Sequence, residues 1–287
     1  MRQQPGERML FKRLIVCVEL RDGRAVHGAA SSTSPDSRDP AEQAVALEQA
    51  GADEIVFFDF SDTAEGRRAL LDAVSRTAEQ IFIPLTVGGG IHEVGDVDLA
   101  LRAGADKVCI NTAAVQRPAV LTEAALRFGS HSIVASIDTR VEKRSVENAM
   151  RSSVAAAGLV AAGQSTGEWY RVYTHSGSTP TMLDAIAWCK QCADLGAGEL
   201  LLNSIDQDGQ RAGYDLELTG RVVEAVNVPV IASGGAAGPE HIRDAFLLAG
   251  ADAALTSGMR QDQAVEIEKV KRMLAEAGVP VRLQIDA

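Results

Sequence analysis

Two carboxylates, Glu19 and Asp138, each close a short apolar run, Ile15-Val16-Cys17-Val18 and Val134-Ala135-Ser136-Ile137. Carboxylates in partly apolar surroundings can hold different protonation states and so divide acid and base work between them. The plainer role for an acid in this position is to accept loop N–H groups, and spacing alone leaves both open. Asp59 ends a similar run, and Asp206 and Asp208 follow another.

A second constellation is written twice. Residues 83–112 read IPLTVGGGIHEVGDVDLALRAGADKVCINT and residues 228–257 read VPVIASGGAAGPEHIRDAFLLAGADAALTS. The offset is 145 over Gly89-Gly90 and Gly234-Gly235, slipping to 146 by Gly104-Ala105-Asp106 and Gly250-Ala251-Asp252. A glycine turn entering a helix lets backbone N–H groups close on an anion. The first copy offers Gly89 and Gly90, then Asn111 and Thr112; the second offers Ser233, Gly234 and Gly235, then Thr256 and Ser257. The Asp208-Gly209 turn is grouped with them as a binding candidate. Ordinary tight turns are the alternative. Duplication favours two cradles, and hence a ligand with a phosphate at each end.

Four more charges, Arg13, Glu54, Lys107 and Glu199, stand at the starts of apolar runs. They read either as a salt-bridged plug or as a gate to something passing between the runs. The five histidines (His27, His92, His131, His175, His241) are scattered, so no metal and no cofactor is expected. Cys189-x-x-Cys192 lies in a helical pattern without a second ligand pair and reads as two helix cysteines.

The elements that must position these residues alternate along the chain. Apolar runs at 14–20, 54–60, 83–87, 107–111, 132–138, 199–205, 228–232 and 251–255 are predicted strands. Helical patterns follow at 39–51, 67–80, 94–104, 118–128, 182–195, 215–226, 239–249 and 263–277. Near-continuous apolar strands separated by helices imply a parallel sheet, and eight even units favour an α/β fold closed as a (βα)8 TIM barrel over a doubly wound sheet. Ala50-Gly51-Ala52-Asp53-Glu54 repeats as Leu195-Gly196-Ala197-Gly198-Glu199, which extends the duplication to two (βα)4 halves. Strands one and five then face each other, bringing Glu19 and Asp138 to one mouth. The expected domain is a single barrel over residues 9–287, with 1–8 a flexible extension. An insertion at 140–169, rich in Ala, Ser and Gly, reads as either a lid or a disordered elaboration.

The net charge of -11 across 287 residues argues against a nucleic-acid partner and leaves any phosphate to local N–H groups. No apolar run is of spanning length, which implies no membrane partner, and four cysteines suit a reduced, cytoplasmic setting.

With these residues in place the chain resembles the cyclase subunit of imidazole glycerol phosphate synthase, over nearly everything from Met9 to Leu283. The specific pieces are LTVGGGIH, GADKVCINTAAV, VYTHSGSTPT, GAGELLLNSIDQDGQRAGYDLEL and VPVIASGGA. The resemblance implies a barrel that takes a bisphosphorylated ribulosyl-formimino-aminoimidazole carboxamide nucleotide. It also implies ammonia delivered by a partner glutaminase docked at the N-terminal face. It assigns Asp138 to a catalytic aspartate, Gly90, Asn111 and Thr112 to one phosphate site, and Gly235 and Ser257 to the other. Arg13, Glu54, Lys107 and Glu199 match all four members of an ammonia gate. Departures cluster at the mouth. Glu19 replaces an aspartate, His27 a lysine, Gly258 a serine, Gln207 a common arginine, and Ser178-Thr179 a basic pair. These changes keep open a paralogue acting on a different phosphorylated substrate, or a non-catalytic scaffold for the glutaminase.

Overall fold

A computed structural model describes residues 10–26, 39–61, 63–143, 168–257 and 264–283. Eight parallel strands close on themselves: β1 (Arg13–Arg21), β3 (Glu54–Asp59), β4 (Leu85–Gly88), β5 (Lys107–Ile110), β6 (Ile133–Lys143), β9 (Glu199–Ser204), β10 (Val230–Ser233) and β11 (Ala253–Thr256). The β5–β6 and β1–β11 pairings complete the ring. All eight expected strands are present and the barrel is closed. β1 and β6 lie four strands apart in a ring of eight, which puts them on opposite walls.

Helices follow the strands: α1 (Pro40–Gln49), α2 (Ala64–Ala78), α3 (Val94–Arg102), α5 (Ala119–Phe128), α6 (Ala185–Asp194), α7 (Leu216–Val223), α8 (Pro239–Leu247) and α9 (Ala264–Glu276). A short α4 (Thr112–Gln116) precedes α5. Their starts are specified locally. Asp39 accepts the N–H of Ala41 ahead of Pro40, Asp184 accepts those of Ile186 and Ala187, and Asp215 accepts that of Leu218. Helix α2 begins three residues earlier than the apolar pattern indicates, because Thr63 caps it through the N–H of Gly66.

Strand alternation sorts the side chains into two cores. Leu14, Val16, Val18 and Leu20 of β1 pack outward among the helices, with Ile55, Phe57, Leu85, Val87 and their like. Ile15 and Cys17 point inward with Val56, Cys109, Val134, Leu201, Ile231, Ala253 and Leu255, filling the middle of the barrel. The same parity places Arg13 below this layer and Glu19 above it.

The repeated Gly-Ala-Asp has a structural meaning. Asp53, Asp106 and Asp252 each send their own N–H to the strand before, onto the carbonyls of Leu14, Leu85 and Val230 at 2.8–2.9 Å. Each carboxylate then accepts the N–H of that same residue, at 2.9, 2.8 and 3.1 Å. This reciprocal clasp fixes neighbouring strands at the barrel floor. In the fourth copy Gly198 keeps the backbone half of the clasp, to Ile133 at 2.9 Å, but a Cβ there would meet the Ser130 carbonyl oxygen at 2.2 Å. Asp53 is further held by the buried Lys271 at 2.6 Å, which ties α9 to the floor.

The structure describes both ends of the segment read as an insertion, 140–169. β6 runs on through Lys143 and pairs antiparallel with β7 (Glu168–Thr174), which pairs with β8 (Thr179–Asp184). Both ends of the 140–169 segment are therefore strand, since Arg140 pairs with Arg171 and Lys143 with Glu168. Its centre, 144–167, lies outside the described residues, as do 1–9, His27 and Gly258. A three-residue β2 (Arg24–Val26) also folds back on β1.

Candidate active site

The floor charges form a closed ring. Glu54 accepts from Arg13 at 2.8 Å and from Lys107 at 2.9 Å, and Glu199 takes the same two cations at 3.1 Å each. The second oxygen of Glu54, a residue with no exposed surface, accepts the Thr86 hydroxyl at 2.7 Å. Burial alone would lower the Arg13 pKa; Glu199 and Glu54 overcome this and raise it.

Above this ring lies the apolar layer with its two thiols. Burial pushes the Cys109 thiol up to about 12, a hydrogen bond from Ser136 works against this, and the charges of Asp138 on one side and Glu54 and Glu199 on the other add to it. Cys109 therefore stands between floor and mouth. Cys17, raised chiefly by burial and then by Glu19, marks the same level on β1.

At the mouth, Asp138 is held by two carboxamides. Asn111 of the strand-end after β5 donates to one carboxylate oxygen at 2.9 Å, and Asn203 of β9 donates to the other at 3.1 Å. Asn203 in turn accepts the Ser233 hydroxyl at 3.2 Å. Burial raises the Asp138 pKa above the ordinary carboxylate value; the Asn203 and Asn111 hydrogen bonds work against it, and Asp208 adds to it. The side-chain carbonyl oxygen of Asn111 is buried without a protein hydrogen-bond partner among the described residues, leaving an acceptor beside the carboxylate. Glu19 enters from the opposite wall, in register with Phe58 and Val26.

The glycine turns stand on either side of this centre, after β4 and after β10. Gly89 and Gly90 have φ of 94° and 61°, and Gly234 and Gly235 have 91° and 94°, a region that side chains disfavour. Thr112 accepts the His175 N–H at 3.0 Å, joining the first turn's neighbourhood to the β7–β8 hairpin. Thr256 is buried at the end of β11 and Ser257 is exposed beyond it; Asp208 and Gly209 are exposed in the turn after β9.

The side chains of Asn111 and Ser233, grouped by sequence with the cradles, also join the Asp138 network. Sequence reasoning missed Asn203, Thr86 and Arg67, the last of which braces the first glycine turn from α2. Strand parity with Glu199 and Leu201 was the available signal for Asn203. For Arg67, on a helix away from the strand ends, there was none. The Cys189–Cys192 pair is buried in α6 as two free thiols, and the described residues hold no group of three or more potential metal ligands.

An eight-stranded parallel barrel with a charged floor, an apolar axis and a carboxylate flanked by duplicated glycine turns defines a class of barrel built around one axial site. The chain belongs to the family described as histidine biosynthesis protein, whose profile matches residues 13–266. It is 49% identical over 274 residues to the imidazole glycerol phosphate synthase subunit HisF of Myxococcus xanthus, covering 96% of this chain and 99% of that one. It is 48% identical to the subunit of the same name from Methanopyrus kandleri (95% and 98% covered) and 45% identical to that from Methanocaldococcus jannaschii (96% and 100%).

Proposed function

We propose that the chain is the cyclase of imidazole glycerol phosphate synthase. It would convert the phosphoribulosyl-formimino-aminoimidazole carboxamide ribonucleotide and ammonia into imidazole glycerol phosphate and the aminoimidazole carboxamide ribonucleotide. The observation that carries this is the alignment of the ring Arg13, Glu54, Lys107 and Glu199 with Asp138 along one apolar axis. A neutral small molecule such as ammonia crosses an apolar layer at little cost, whereas a charged ion does not.

Ammonia admitted at the floor arrives beneath Asp138 and the side-chain oxygen of Asn111, both acceptors. Held there, it adds to the formimino carbon, and the carbon–nitrogen bond to the carboxamide nucleotide breaks as that amine leaves with a proton. The new nitrogen condenses with the ribulosyl ketone, releasing water and, with loss of a proton from the adjacent CH2, closing the imidazole ring. Each stage moves a proton. Asp138, its pKa raised by burial, and Glu19 on the opposite wall divide that work. The turns at Gly89-Gly90 and Gly234-Gly235, with Thr112, Asp208, Gly209, Thr256 and Ser257 around them, hold the two phosphate ends.

A glutaminase would dock at the floor. The segments leading into β1, β4 and β11 expose Leu10, Phe11, Phe82 and Leu248 there. A 570 Å³ cleft lined by Pro84, Asp106, Lys107, His131, Gly198 and Glu199 opens beside the gate. Exposed apolar groups around a polar opening mark a surface that a partner covers. The direct test is turnover of the nucleotide with an ammonium salt and no glutaminase. Release of both products supports the reading. Binding without turnover over the whole pH range, or no binding at all, overturns it.

A further inference from the structure

The two glycine turns are copies in space as well as in sequence. A Cβ on Gly89 would meet the Asp59 carbonyl oxygen at 2.1 Å, and one on Gly234 would meet the Ser204 carbonyl oxygen at 2.6 Å. Asp59 and Ser204 are themselves 145 residues apart, so both turns are seated on the end of the equivalent neighbouring strand.

What holds the second glycine of each turn differs. In the second copy the carbonyl of Gly235 accepts the backbone N–H of Gly213 at 2.9 Å. In the first copy a side chain does this work. One arm of the Arg67 guanidinium donates to the carbonyl of Gly90 and reaches that of Gly89 at 3.4 Å. The other arm pairs with Asp96 at 3.0 Å. Asp96 takes the N–H groups of His92 and Glu93 at 2.8 and 3.1 Å, which fixes the start of α3. Arg67 thus links the glycine turn to the helix that follows it.

In a trans peptide the C=O and N–H point in opposite directions. Holding the carbonyls of Gly89 and Gly90 toward α2 turns the N–H groups of Gly90 and Ile91 the other way. Among the described residues no protein acceptor takes either of those two N–H groups. An N–H without a partner is a costly group unless a ligand or water meets it. We propose that Arg67 is the positioning residue of the first phosphate cradle. It acts through the backbone and does not touch the phosphate, fixing the Gly90 and Ile91 amides in the orientation a phosphate accepts. This rests on the bisphosphate reading above. It adds an asymmetry, since the first cradle depends on one replaceable side chain and the second on none.

The two ends of the substrate leave on different products, each with one phosphate, so the cradles can be read separately. Arg67→Ala is expected to raise KM for the bisphosphorylated nucleotide about 10-fold with kcat changed far less, the pattern of lost uniform binding. Competitive inhibition by one product should weaken by the same factor while inhibition by the other holds. Arg67→Lys, which keeps the charge but not the two-armed fork, should fall between. Equal weakening toward both products, or toward neither, overturns the proposal.

A second measurement is independent of turnover and of any loss of stability in the variant. In an amide NMR titration with inorganic phosphate, the Gly90, Ile91, Gly235 and Ala236 signals should all shift in the wild-type protein. In Arg67→Lys the first two responses should weaken while the second two persist. If Gly90 and Ile91 respond equally in both proteins, the positioning role is wrong. If none of the four responds in the wild type, the cradle reading itself fails and the proposal falls with it.

Discussion

Lys107 and Glu54 meet at 2.9 Å across the barrel floor, although their strands, β5 and β3, are not neighbours. The contact passes over β4 and joins strands two places apart in the ring. Glu54→Gln keeps the shape and the Thr86 contact but leaves Arg13 and Lys107 to share Glu199. Breaking one partner of a buried ion pair costs about 3 kcal/mol, to be read from urea unfolding. In the presence of a glutaminase, the ratio of glutamine-driven to ammonium-driven turnover should fall, because an unlatched floor lets ammonia escape. An unchanged ratio with lowered stability would leave Glu54 only a plug.

Asn203 donates to Asp138, and a hydrogen bond to a carboxylate favours its charged form. Asn203→Ala should therefore move the Asp138 pKa further up, and the limb of the pH–rate profile that reports Asp138 should move to higher pH, whether Asp138 serves as acid or as base. The sign for stability follows. A carboxyl whose folded pKa is raised favours the fold below its unfolded value and loses that contribution as pH rises through the folded value. The variant's unfolding midpoint should thus drop more at neutral than at acid pH. A pH–rate profile that does not shift would detach Asn203 from the titration of Asp138.

Glu19→Gln should lower kcat by about 10³-fold if the residue moves a proton. Glu19→Asp retains the carboxylate but withdraws it by one methylene, and misplacement of about 1 Å costs on the order of 100-fold. Single-turnover kinetics with ammonium salt distinguish the two variants. A Glu19→Asp protein faster than the wild type would mean that the mouth is still shaped for aspartate.

Gly89→Ala places a methyl group 2.1 Å from the Asp59 carbonyl oxygen at a φ of 94°, so clash and strain add. The expected cost is about 3 kcal/mol or more, together with loss of substrate binding. Gly209→Ala is the contrast: φ is 73° but nothing lies within 4 Å, so only the conformational cost of about 1 kcal/mol is expected. Equal unfolding midpoints for the two variants would contradict the close packing of the first turn.

The barrel was legible because its strands are apolar on both faces and its helices carry clear starts, such as Asp39-Pro40. The floor ring was legible as four charges at strand starts, since no apolar layer needs them there. The β6–β7–β8 extension was less so. Antiparallel pairing of Arg140 with Arg171 joins segments far apart in the chain, and alternation within one segment carries no record of its partner. The network around Asp138 was half legible. Asn111 was noticed for its place beside Thr112, but its bond to Asp138 depends on which way a carboxamide turns. Arg67 escaped notice because its role is to hold carbonyl groups, which leave no mark in composition.

The clasp made by Asp53, Asp106 and Asp252 is missing its side-chain half at Gly198, and Gly198 lines the cleft beside Lys107 and Glu199. A duplicated chain begins with equivalent seams, and whichever is left less firmly fastened becomes the one that can yield. At the floor, the seam between β6 and β9 thus carries one clasp bond where the equivalent seam between β1 and β3 carries two. Amide hydrogens at the floor end of that seam should exchange sooner than their counterparts between β1 and β3, and the strand so affected is the one that carries Asp138.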